Sequence, residues 1–219
     1  MIVAVRDGTV TRLRVVIADD HALYREGLAR LLRKFDIEVV GEAPNGETAI
    51  RIVEQTSPDV VLIDLRMPGV SGLEAVRVLT DQAASTRVLV LSVSADELDV
   101  TEAIAAGASG YVLKDEPVEE VIAGIRAAAA GGARISPGTA SALLGHVREA
   151  IEAGDDLAGG GLSTTELQVL DLVAAGKPDR EVSERLSIGE GTVGDYVRSI
   201  VIKLQVESRV RDARRGAQG

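Results

Sequence analysis

Short apolar segments of strand length alternate with segments of helical periodicity through the first part of the chain. The apolar segments are rich in Val, Ile and Leu and comprise Leu13–Ala18, Ile37–Gly41, Asp59–Ile63, Arg87–Leu91 and Gly110–Leu113. Most are continuously apolar, which is typical of strands covered on both faces of a parallel sheet. Apolar residues recur at helical spacing after the first and last segments, at Leu28, Leu31, Leu32 and Phe35 and at Val118, Val121, Ile122 and Ile125. The pattern predicts an α/β domain with a doubly wound, five-stranded parallel sheet over residues 12–132.

The rest of the chain carries helical patterns without a further strand-like segment. Gly131 and Gly132 end the fifth helix, and Ser136-Pro137 opens another helix that runs to about residue 153. The glycine-rich stretch Gly154–Gly161 has the composition of a flexible linker. We therefore predict a linker helix and flexible linker over residues 133–161 and a small all-α domain over residues 162–213.

Three helical segments fit residues 163–204 of that second domain. Ser163 and Glu166 have the spacing of a capping box at the start of the first segment. The third segment has a strong amphipathic pattern, formed by Val193, Val197, Ile200, Val201 and Leu204. A short turn containing Gly189 separates the second segment from the third, as in a helix-turn-helix whose second helix enters the DNA major groove. A generic helical bundle fits the bare pattern equally well.

Composition narrows the class of protein. The chain is 46% hydrophobic, which is enough to bury a sizeable core. It has no apolar stretch long enough to cross a membrane and no secretory signal pattern at its start, so we expect a cytoplasmic protein without membrane contact. The absence of cysteine excludes disulfides and thiolate chemistry. The net charge of −10 lies entirely in residues 1–161, with 15 Lys+Arg against 25 Asp+Glu, because residues 162–219 hold 9 of each.

Polar side chains follow four of the predicted strands. Asp19 and Asp20 follow the first, Asp64 the third, Ser92 the fourth and Lys114 the fifth. Because the carboxyl ends of parallel strands lie at one edge of a sheet, where ligands bind, we expect these side chains to lie close together. Each alone would more often be a turn former, a helix cap or a surface charge. The combination predicts a phosphoryl site.

The chemistry of such a site follows from the residue types. Three clustered carboxylates repel one another unless a cation lies among them. Mg²⁺ prefers oxygen ligands, which Asp19, Asp20 and Asp64 can supply. A carboxylate can also act as a nucleophile and form an aspartyl-phosphate, and Mg²⁺, Lys114 and Ser92 would then hold the phosphoryl oxygens.

The segments VVIADD-H, VVLIDLRMPGVSG, VLVLSVS and GYVLKDEP resemble the receiver domain of two-component response regulators. The resemblance implies that Asp64 accepts a phosphoryl group from a sensor histidine kinase. It implies that Asp19, Asp20, Asp64 and the backbone carbonyl of Arg66 hold Mg²⁺, and that Ser92 and Lys114 contact the phosphoryl group. It also implies that Tyr111 is the switch aromatic, which turns inward with Ser92 on activation.

Residues 162–204 are similar to the four-helix output domain of the NarL/FixJ (LuxR-type) regulators, with matches that include Leu162, Glu166, Leu186, Val197 and Leu204. This resemblance implies a transcription regulator that binds promoter DNA and forms a homodimer on phosphorylation. It places Thr192, Val193 and Lys203 nearest the DNA, and helical spacing adds Arg198.

The helical domain departs from the family pattern at several positions in its three helical segments. Gly194 replaces the usual Lys, Tyr196 a His, Thr165 an Arg, and Pro178-Asp179 a Ser-Asn pair. The stripe that we expect to face outward is Gly191, Gly194, Asp195, Arg198 and Ile202. Because a basic side chain is missing from position 194, Gly194→Lys should strengthen DNA affinity. A basic tail of Arg209, Arg211, Arg214 and Arg215 could restore phosphate contacts, or could be a solvated terminus.

Two alternative functions remain open at this stage. In the first, the degenerate helix-turn-helix acts through protein contacts with weak or no DNA binding, which the apolar Ile202 would suit. In the second, the chain is a phosphatase of the haloacid-dehalogenase type, which also uses an aspartyl-phosphate. Such enzymes need Asp-x-Asp at the nucleophile, but here Arg66 occupies the second position. We therefore expect a regulator rather than an enzyme.

Overall fold

A computed structural model describes the backbone of residues 4–6, 9–83, 85–152, 161–189 and 191–216, and the side chains of residues 12–83, 85–149, 161–189 and 191–204. The strands are β1 (Ala4–Arg6), β2 (Thr9–Thr11), β3 (Leu13–Ala18), β4 (Ile37–Ala43), β5 (Val60–Ile63), β6 (Arg87–Ser92), β7 (Gly110–Leu113) and β8 (Arg134–Ile135). The helices are α1 (Ala22–Lys34), α2 (Gly46–Thr56), α3 (Gly72–Gln82), α4 (Glu97–Ala105), α5 (Val118–Ala129), α6 (Pro137–Glu152), α7 (Thr164–Ala174), α8 (Asp179–Leu186) and α9 (Thr192–Gly216).

The main sheet is parallel, with strand order β4-β3-β5-β6-β7-β8. The five predicted strands are β3 to β7, and the doubly wound α/β class is confirmed. The predicted strand number was wrong, because the two-residue strand β8 adds a sixth strand beside β7, with Gly110 opposite Arg134. Two residues are too short to show a hydrophobic pattern. The antiparallel hairpin β1-β2 was not predicted either.

Side-chain caps define where three of the receiver helices begin. Asn45, Ser71 and Asp96 each accept a backbone N–H from the first turn of α2, α3 and α4, respectively. α5 ends at Ala129, and Gly131 follows with φ +83°, a conformation that suits glycine. The helix predicted from Ser136-Pro137 is α6.

The hydrophobic core lies on both faces of the sheet. One cluster packs α1 and α5 against one face through residues such as Leu28, Leu32 and Ile125. The other packs α2, α3 and α4 against the opposite face, continues through Leu143 and Val147 of α6, and reaches the buried faces of α7, α8 and α9. The linker helix therefore joins the core of the sheet domain to that of the helical domain.

The helical domain consists of α7, α8 and α9 within the described residues. Ser163 and Glu166 form the predicted capping box. α9 runs without a break from Thr192 to Gly216, so the described part shows three helices where the resemblance implied four. The side chains of the basic tail, Arg209, Arg211, Arg214 and Arg215, lie outside the described residues. Among the helices that are described, none combines the length and the apolar character that crossing a membrane requires.

Candidate functional site

The predicted polar residues meet at the carboxyl edge of the sheet. Adjacent strand ends are tied together there, because the Asp64 N–H donates to the Ala18 carbonyl at 2.9 Å and the Lys114 N–H donates to the Ser92 carbonyl at 2.8 Å. Asp19 (1% exposed), Asp64 (4%) and Ser92 (0%) are buried. The parallel topology thus brings together side chains that are far apart in the sequence.

Lys114 bridges two of the buried carboxylates. Its Nζ lies 2.6 Å from Oδ2 of Asp64 and 2.7 Å from Oδ2 of Asp19. Burial alone would lower the pKa of Lys114, but the hydrogen bonds to both carboxylates raise it above its usual value. The lysine is therefore firmly cationic. One oxygen of Asp64 is held by the Lys114 ammonium, and the other accepts the backbone N–H of Arg66 at 3.2 Å.

Asp20 and His21 complete the open side of the pocket. One ligand atom each from Asp19, Asp20, His21 and Asp64 lies within 4.8 Å of the others. His21 donates its backbone N–H to Asp19 at 2.9 Å, and its Nδ1 is 2.7 Å from Oδ1 of Asp20. His21 was not among the residues predicted from the sequence, although it directly follows the aspartate pair.

The donor set of this pocket fits Mg²⁺. Asp19, Asp20 and Asp64 provide carboxylate oxygens, and Asp20 is partly exposed, which leaves an open side where a dication keeps its waters. Among the described side chains around it, Lys114 alone bridges the two buried carboxylates. The carbonyl of Arg66 belongs to the same turn as Asp64 and remains a predicted ligand.

Tyr24 is a second neighbour that the sequence did not reveal. The Lys114 Nζ lies 5.0 Å from the centre of its ring, within the range of a cation–π interaction. Burial, together with the nearby Asp19 and Asp64 carboxylates, raises the pKa of Tyr24 to about 12. The ring therefore flanks the lysine as a neutral wall of the pocket.

Tyr111 is already inside the protein and fully buried, in the inward position that the resemblance implied only for the activated form. Its hydroxyl donates to the Ser94 carbonyl at 2.7 Å, and the Ser94 N–H donates to the Ser92 Oγ at 3.1 Å. Burial raises the pKa of Tyr111 to about 12. The end of β6 is thus linked to the predicted switch tyrosine through one short loop.

One side of the first turn of α9, at Gly194, packs against the sheet domain. Val193 is 1% exposed, and Gly194 is buried against Ala133, so close that a Cβ at position 194 would lie 2.9 Å from the Ala133 N. The expectation that Gly194 faces outward was wrong, and the same geometry removes the stated reason for Gly194→Lys to strengthen DNA binding. Sequence spacing shows the apolar face of a helix, but a glycine gives no sign of what packs on it.

Three other residues of the predicted outward stripe are exposed. They are Gly191, Asp195 and Ile202. Thr192 is also exposed, and Arg198 is half-buried. Of the residues predicted to contact DNA, Thr192 is therefore accessible in this arrangement, Arg198 partly accessible, and Val193 covered.

Lys203 is engaged inside the helical domain. Its Nζ lies 2.7 Å from Oε2 of Glu166, whose other oxygen accepts a hydrogen bond from Ser199 at 2.8 Å. Burial alone would raise the pKa of Glu166, but the hydrogen bonds from Lys203, the Ser163 N–H and Ser199 lower it to about 2. In this arrangement Lys203 pairs α9 with α7 instead of standing free for DNA, contrary to the expectation.

Contacts between charged and polar side chains connect the sheet domain to the helices that follow it. Arg134 of β8 lies 3.1 Å from Glu120 of α5 and 3.1 Å from Asp179 in the first turn of α8. His146 of α6 lies 3.6 Å from Glu97 at the start of α4. Together with the packing of α9 on α4, these contacts hold the helical domain against the sheet domain.

A parallel α/β domain with a buried carboxylate site, followed by a helix-turn-helix domain, defines the class of the response regulators. Residues 15–126 match the family model of the response regulator receiver domain, and residues 161–215 match that of the bacterial regulatory proteins of the luxR family. The chain belongs to the two-component response regulators with a LuxR-type DNA-binding domain.

Similar proteins cover almost the full chain. The nitrate/nitrite response regulator protein NarL of Escherichia coli K12 is 38% identical over 200 residues, which cover 91% of this chain and 92% of NarL. The transcriptional regulatory protein LiaR of Bacillus subtilis is 36% identical over 202 residues, covering 92% and 95%. The crystal structure of the response regulator ChrA of a heme-sensing two-component system is 30% identical and covers 90% of this chain and 98% of ChrA, with a TM-score of 0.53. NarL and ChrA are response regulators and LiaR is a regulator of transcription, and this protein is a response regulator of transcription.

Proposed function

We propose that Asp64 is the phosphoacceptor and that a sensor histidine kinase is the phosphodonor. The observation that carries this proposal is the placement of the Asp64 carboxylate, which is buried at the carboxyl edge of the sheet and shares the Lys114 ammonium with Asp19. A carboxylate held in this way is oriented for attack on phosphorus, and the groups around it match the charge that develops on a transferred phosphoryl group.

The reaction is a transfer between two nucleophiles. A carboxylate oxygen of Asp64 forms a bond to the phosphorus of a phosphohistidine, the P–N bond breaks, and the imidazole nitrogen leaves with the electron pair and takes up a proton. Lys114 moves from Asp64 to an oxygen of the phosphoryl group, while Ser92 donates its hydroxyl to another. Asp19, Asp20, Asp64 and the Arg66 carbonyl would hold Mg²⁺, which supplies neutralisation of the phosphoryl charge.

The contacts of α4 suggest how phosphorylation reaches the DNA-binding domain. The phosphoryl oxygens are new hydrogen-bond acceptors for the Ser92 hydroxyl. A hydrogen bond to them disturbs the hydrogen bonds that link Ser92 through Ser94 to Tyr111. Tyr111 belongs to the same hydrophobic cluster as α4, and α4 packs on α9. We infer that phosphorylation loosens this packing, frees the first turn of α9 for a DNA major groove, and lets the protein bind promoter DNA as a homodimer.

Nothing in the structure or the comparisons favours the alternative of an output domain that acts through protein contacts alone. The LuxR-type match spans the whole of the described helix-turn-helix. The exposed Ile202 is compatible with either function.

The experiment is phosphorylation by a small-molecule phosphodonor, measured by intact-mass spectrometry with and without Mg²⁺. Wild-type protein should gain one phosphoryl group in Mg²⁺ and none in chelator, and Asp64→Asn should gain none. Asp81→Asn, which changes an exposed carboxylate on α3, is the matched control and should label like wild type. Normal labelling of Asp64→Asn would assign the phosphoacceptor to another residue.

Fluorescence anisotropy with genomic DNA fragments at several salt concentrations then tests the output. Phosphorylated wild-type protein should bind specific fragments with a steep salt dependence, and Asp64→Asn should not respond to the phosphodonor. Equal affinity before and after complete phosphorylation would contradict the proposed switch.

A further inference from the structure

The contact between α9 and the sheet domain is a backbone contact at Gly194. A Cβ at this position would lie 2.9 Å from the Ala133 N, 3.0 Å from the Ala133 O and 3.6 Å from the Gly132 Cα. Real side chains do not approach backbone atoms so closely, so the glycine permits a distance between α9 and the receiver that no other residue would allow.

The opposing backbone is fixed on both sides of Ala133. The Gly132 N–H donates to the Ala127 carbonyl at 2.9 Å, and the Arg134 N–H donates to the Ser109 carbonyl at 3.1 Å. Arg134 then pairs with Gly110 in the sheet, where the backbones are again in close approach. Because this connection is part of the sheet hydrogen-bond network, it cannot move aside for a side chain at position 194, and α9 must move instead.

The neighbouring contacts depend on the same approach. Arg134, next to Ala133, reaches across to Asp179 of α8, 3.1 Å away. A displacement of α9 and the rest of the helical domain from Ala133 would therefore strain this ion pair as well. The residues from Gly132 to Ile135 act as one docking segment for the helical domain.

We propose that Gly194 is a positioning residue that sets the resting arrangement of the two domains, a proposal that rests on the function given above. Without a side chain, α9 seats on the docking segment and the DNA-facing turn stays covered. With any side chain, the seated form is penalised, and the domains separate without phosphorylation. Gly194 thereby fixes how strongly DNA binding depends on the phosphoryl group.

The test measures domain separation directly in the full-length protein. The chain has no native cysteine, so Arg77→Cys on α3 and Ala175→Cys at the end of α7, both exposed, can carry two spin labels. Distance distributions from pulsed electron double resonance are compared, without phosphodonor, for the labelled parent, Gly194→Ala and Gly194→Lys. We expect one narrow distance in the parent, a shift of part of the population to longer distances in Gly194→Ala, and loss of the narrow distance in Gly194→Lys.

Two other glycines, one in α6 and one just before α9, provide matched controls. A Cβ added at Gly145 or at Gly191 would have no described atom within 4 Å beyond its own local backbone, so Gly145→Ala and Gly191→Ala should keep the parent distance. Circular dichroism checks that each variant is folded, and Gly194→Ala keeps the test informative if the lysine variant does not fold. DNA affinity without phosphodonor should rise in both Gly194 variants and stay unchanged in Gly145→Ala, which lies away from the DNA-facing surface.

The outcomes separate this inference from the proposed function. If both Gly194 variants show the same distance as the labelled parent protein, the inference is overturned. This holds even if phosphorylation separates the domains of the parent protein. Opening of the Gly194 variants, combined with a parent that stays closed when fully phosphorylated, would support the inference and contradict the proposed switch. A broad distribution in the parent itself would overturn the seated arrangement and the inference with it.

Discussion

At the scale of single residues, the site is organised around Lys114, which separates two buried carboxylates that would otherwise repel each other. The same pocket can exchange this cation for a dication and a phosphoryl group, because the lysine has a flexible stem and Asp20 is open to solvent. A resting ion pair of this kind holds the acceptor carboxylate in place without blocking it permanently.

Replacing Lys114 with Met should make the protein less stable and more dependent on Mg²⁺. The change leaves Asp19 and Asp64 buried without their shared cation, which costs about 3–5 kcal/mol when one partner of a buried ion pair is removed. A bound dication would again neutralise the charge of the two carboxylates. Adding Mg²⁺ should therefore increase the free energy of unfolding more in Lys114→Met than in wild type. Urea unfolding with and without Mg²⁺ measures both values. The control is Lys177→Met on the surface, and an equal Mg²⁺ effect in all three proteins would contradict the assigned metal site.

Alkaline titration of the tyrosines checks the burial of Tyr24 and Tyr111. Both tyrosines have a pKa raised from 10.0 to about 12. Each neutral hydroxyl therefore contributes to the free energy of unfolding fully below pH 10, and this contribution is lost as the pH rises through 12. Tyrosinate absorbance should therefore show two groups ionising near pH 12. Tyr111→Phe should remove one of them. An ordinary pKa for both groups would place the rings in solvent.

The residues at the strand ends could be predicted from sequence because a parallel sheet gathers them whatever the details of packing. Asp19, Asp20, Asp64, Ser92 and Lys114 were placed in this way. Tyr24 could not, because its contact with Lys114 depends on how α1 lies against β7. The burial of Gly194 could not either, since it is set by the contact between two domains.

At the scale of elements, the helical domain is tied together by one buried ionic cluster between α7 and α9. Glu166 receives Lys203, Ser199 and the Ser163 N–H, and it also closes the capping box of α7. The resemblance to LuxR-type output domains places Lys203 near DNA. Its role as a partner of Glu166, 37 positions away in the sequence, depends on the packing of two helices, which a periodic pattern does not show.

Glu166→Gln should destabilise the helical domain at neutral pH and much less in acid. The pKa of Glu166 is lowered from 4.5 to about 2, which corresponds to roughly 3 kcal/mol in favour of the ionised folded form. This contribution is complete above pH 4.5 and is lost as the pH falls towards 2. Urea unfolding, followed by NMR signals of α7 at several pH values, measures it. Glu184→Gln, which removes an exposed pair with Arg180, is the control and should change stability by less than about 0.5 kcal/mol. A difference between wild type and Glu166→Gln that does not vary with pH would contradict the ionic role.

Element length also explains where the sequence prediction of the fold ended. The strands β3 to β7 have four to seven residues and a clear apolar pattern, and their predicted positions agree closely with the structure. β8 has only two residues. Its place in the sheet is set by backbone hydrogen bonds, one made by Arg134, next to Ala133, and one accepted by the Tyr111 carbonyl. A strand of this kind is set by its neighbours rather than by its own sequence.

At the scale of the whole molecule, the hydrophobic cluster that runs from β5 and β6 through α6 into α7 and α9 makes the resting protein a single packed unit. An activating signal has to separate surfaces that are already buried. The free-energy difference between the two arrangements must then be small enough for one phosphoryl group to reverse.

Arg134 allows the contact between domains to be tested apart from the fold of the receiver. Asp179→Asn removes the pair between β8 and α8, while Glu120→Gln removes the matching pair of the same arginine within the receiver. We expect Asp179→Asn to raise DNA affinity in the absence of phosphorylation, because it weakens only the contact between domains, by about 1 kcal/mol or several-fold in affinity. Glu120→Gln should leave it near the wild-type value. Equal effects of the two variants in anisotropy titrations would show that the bridge does not hold the domains together.

A single distance tests whether a phosphoryl group on Asp64 releases α9 from the receiver. Spin labels at positions 77 and 175 of otherwise unchanged protein report the separation of α3 and α7 before and after complete phosphorylation in Mg²⁺. We predict a narrow distance that gives way to a longer and broader distribution on phosphorylation, and no change in Asp64→Asn. A distance that stays narrow and unaltered in fully phosphorylated protein would contradict this release.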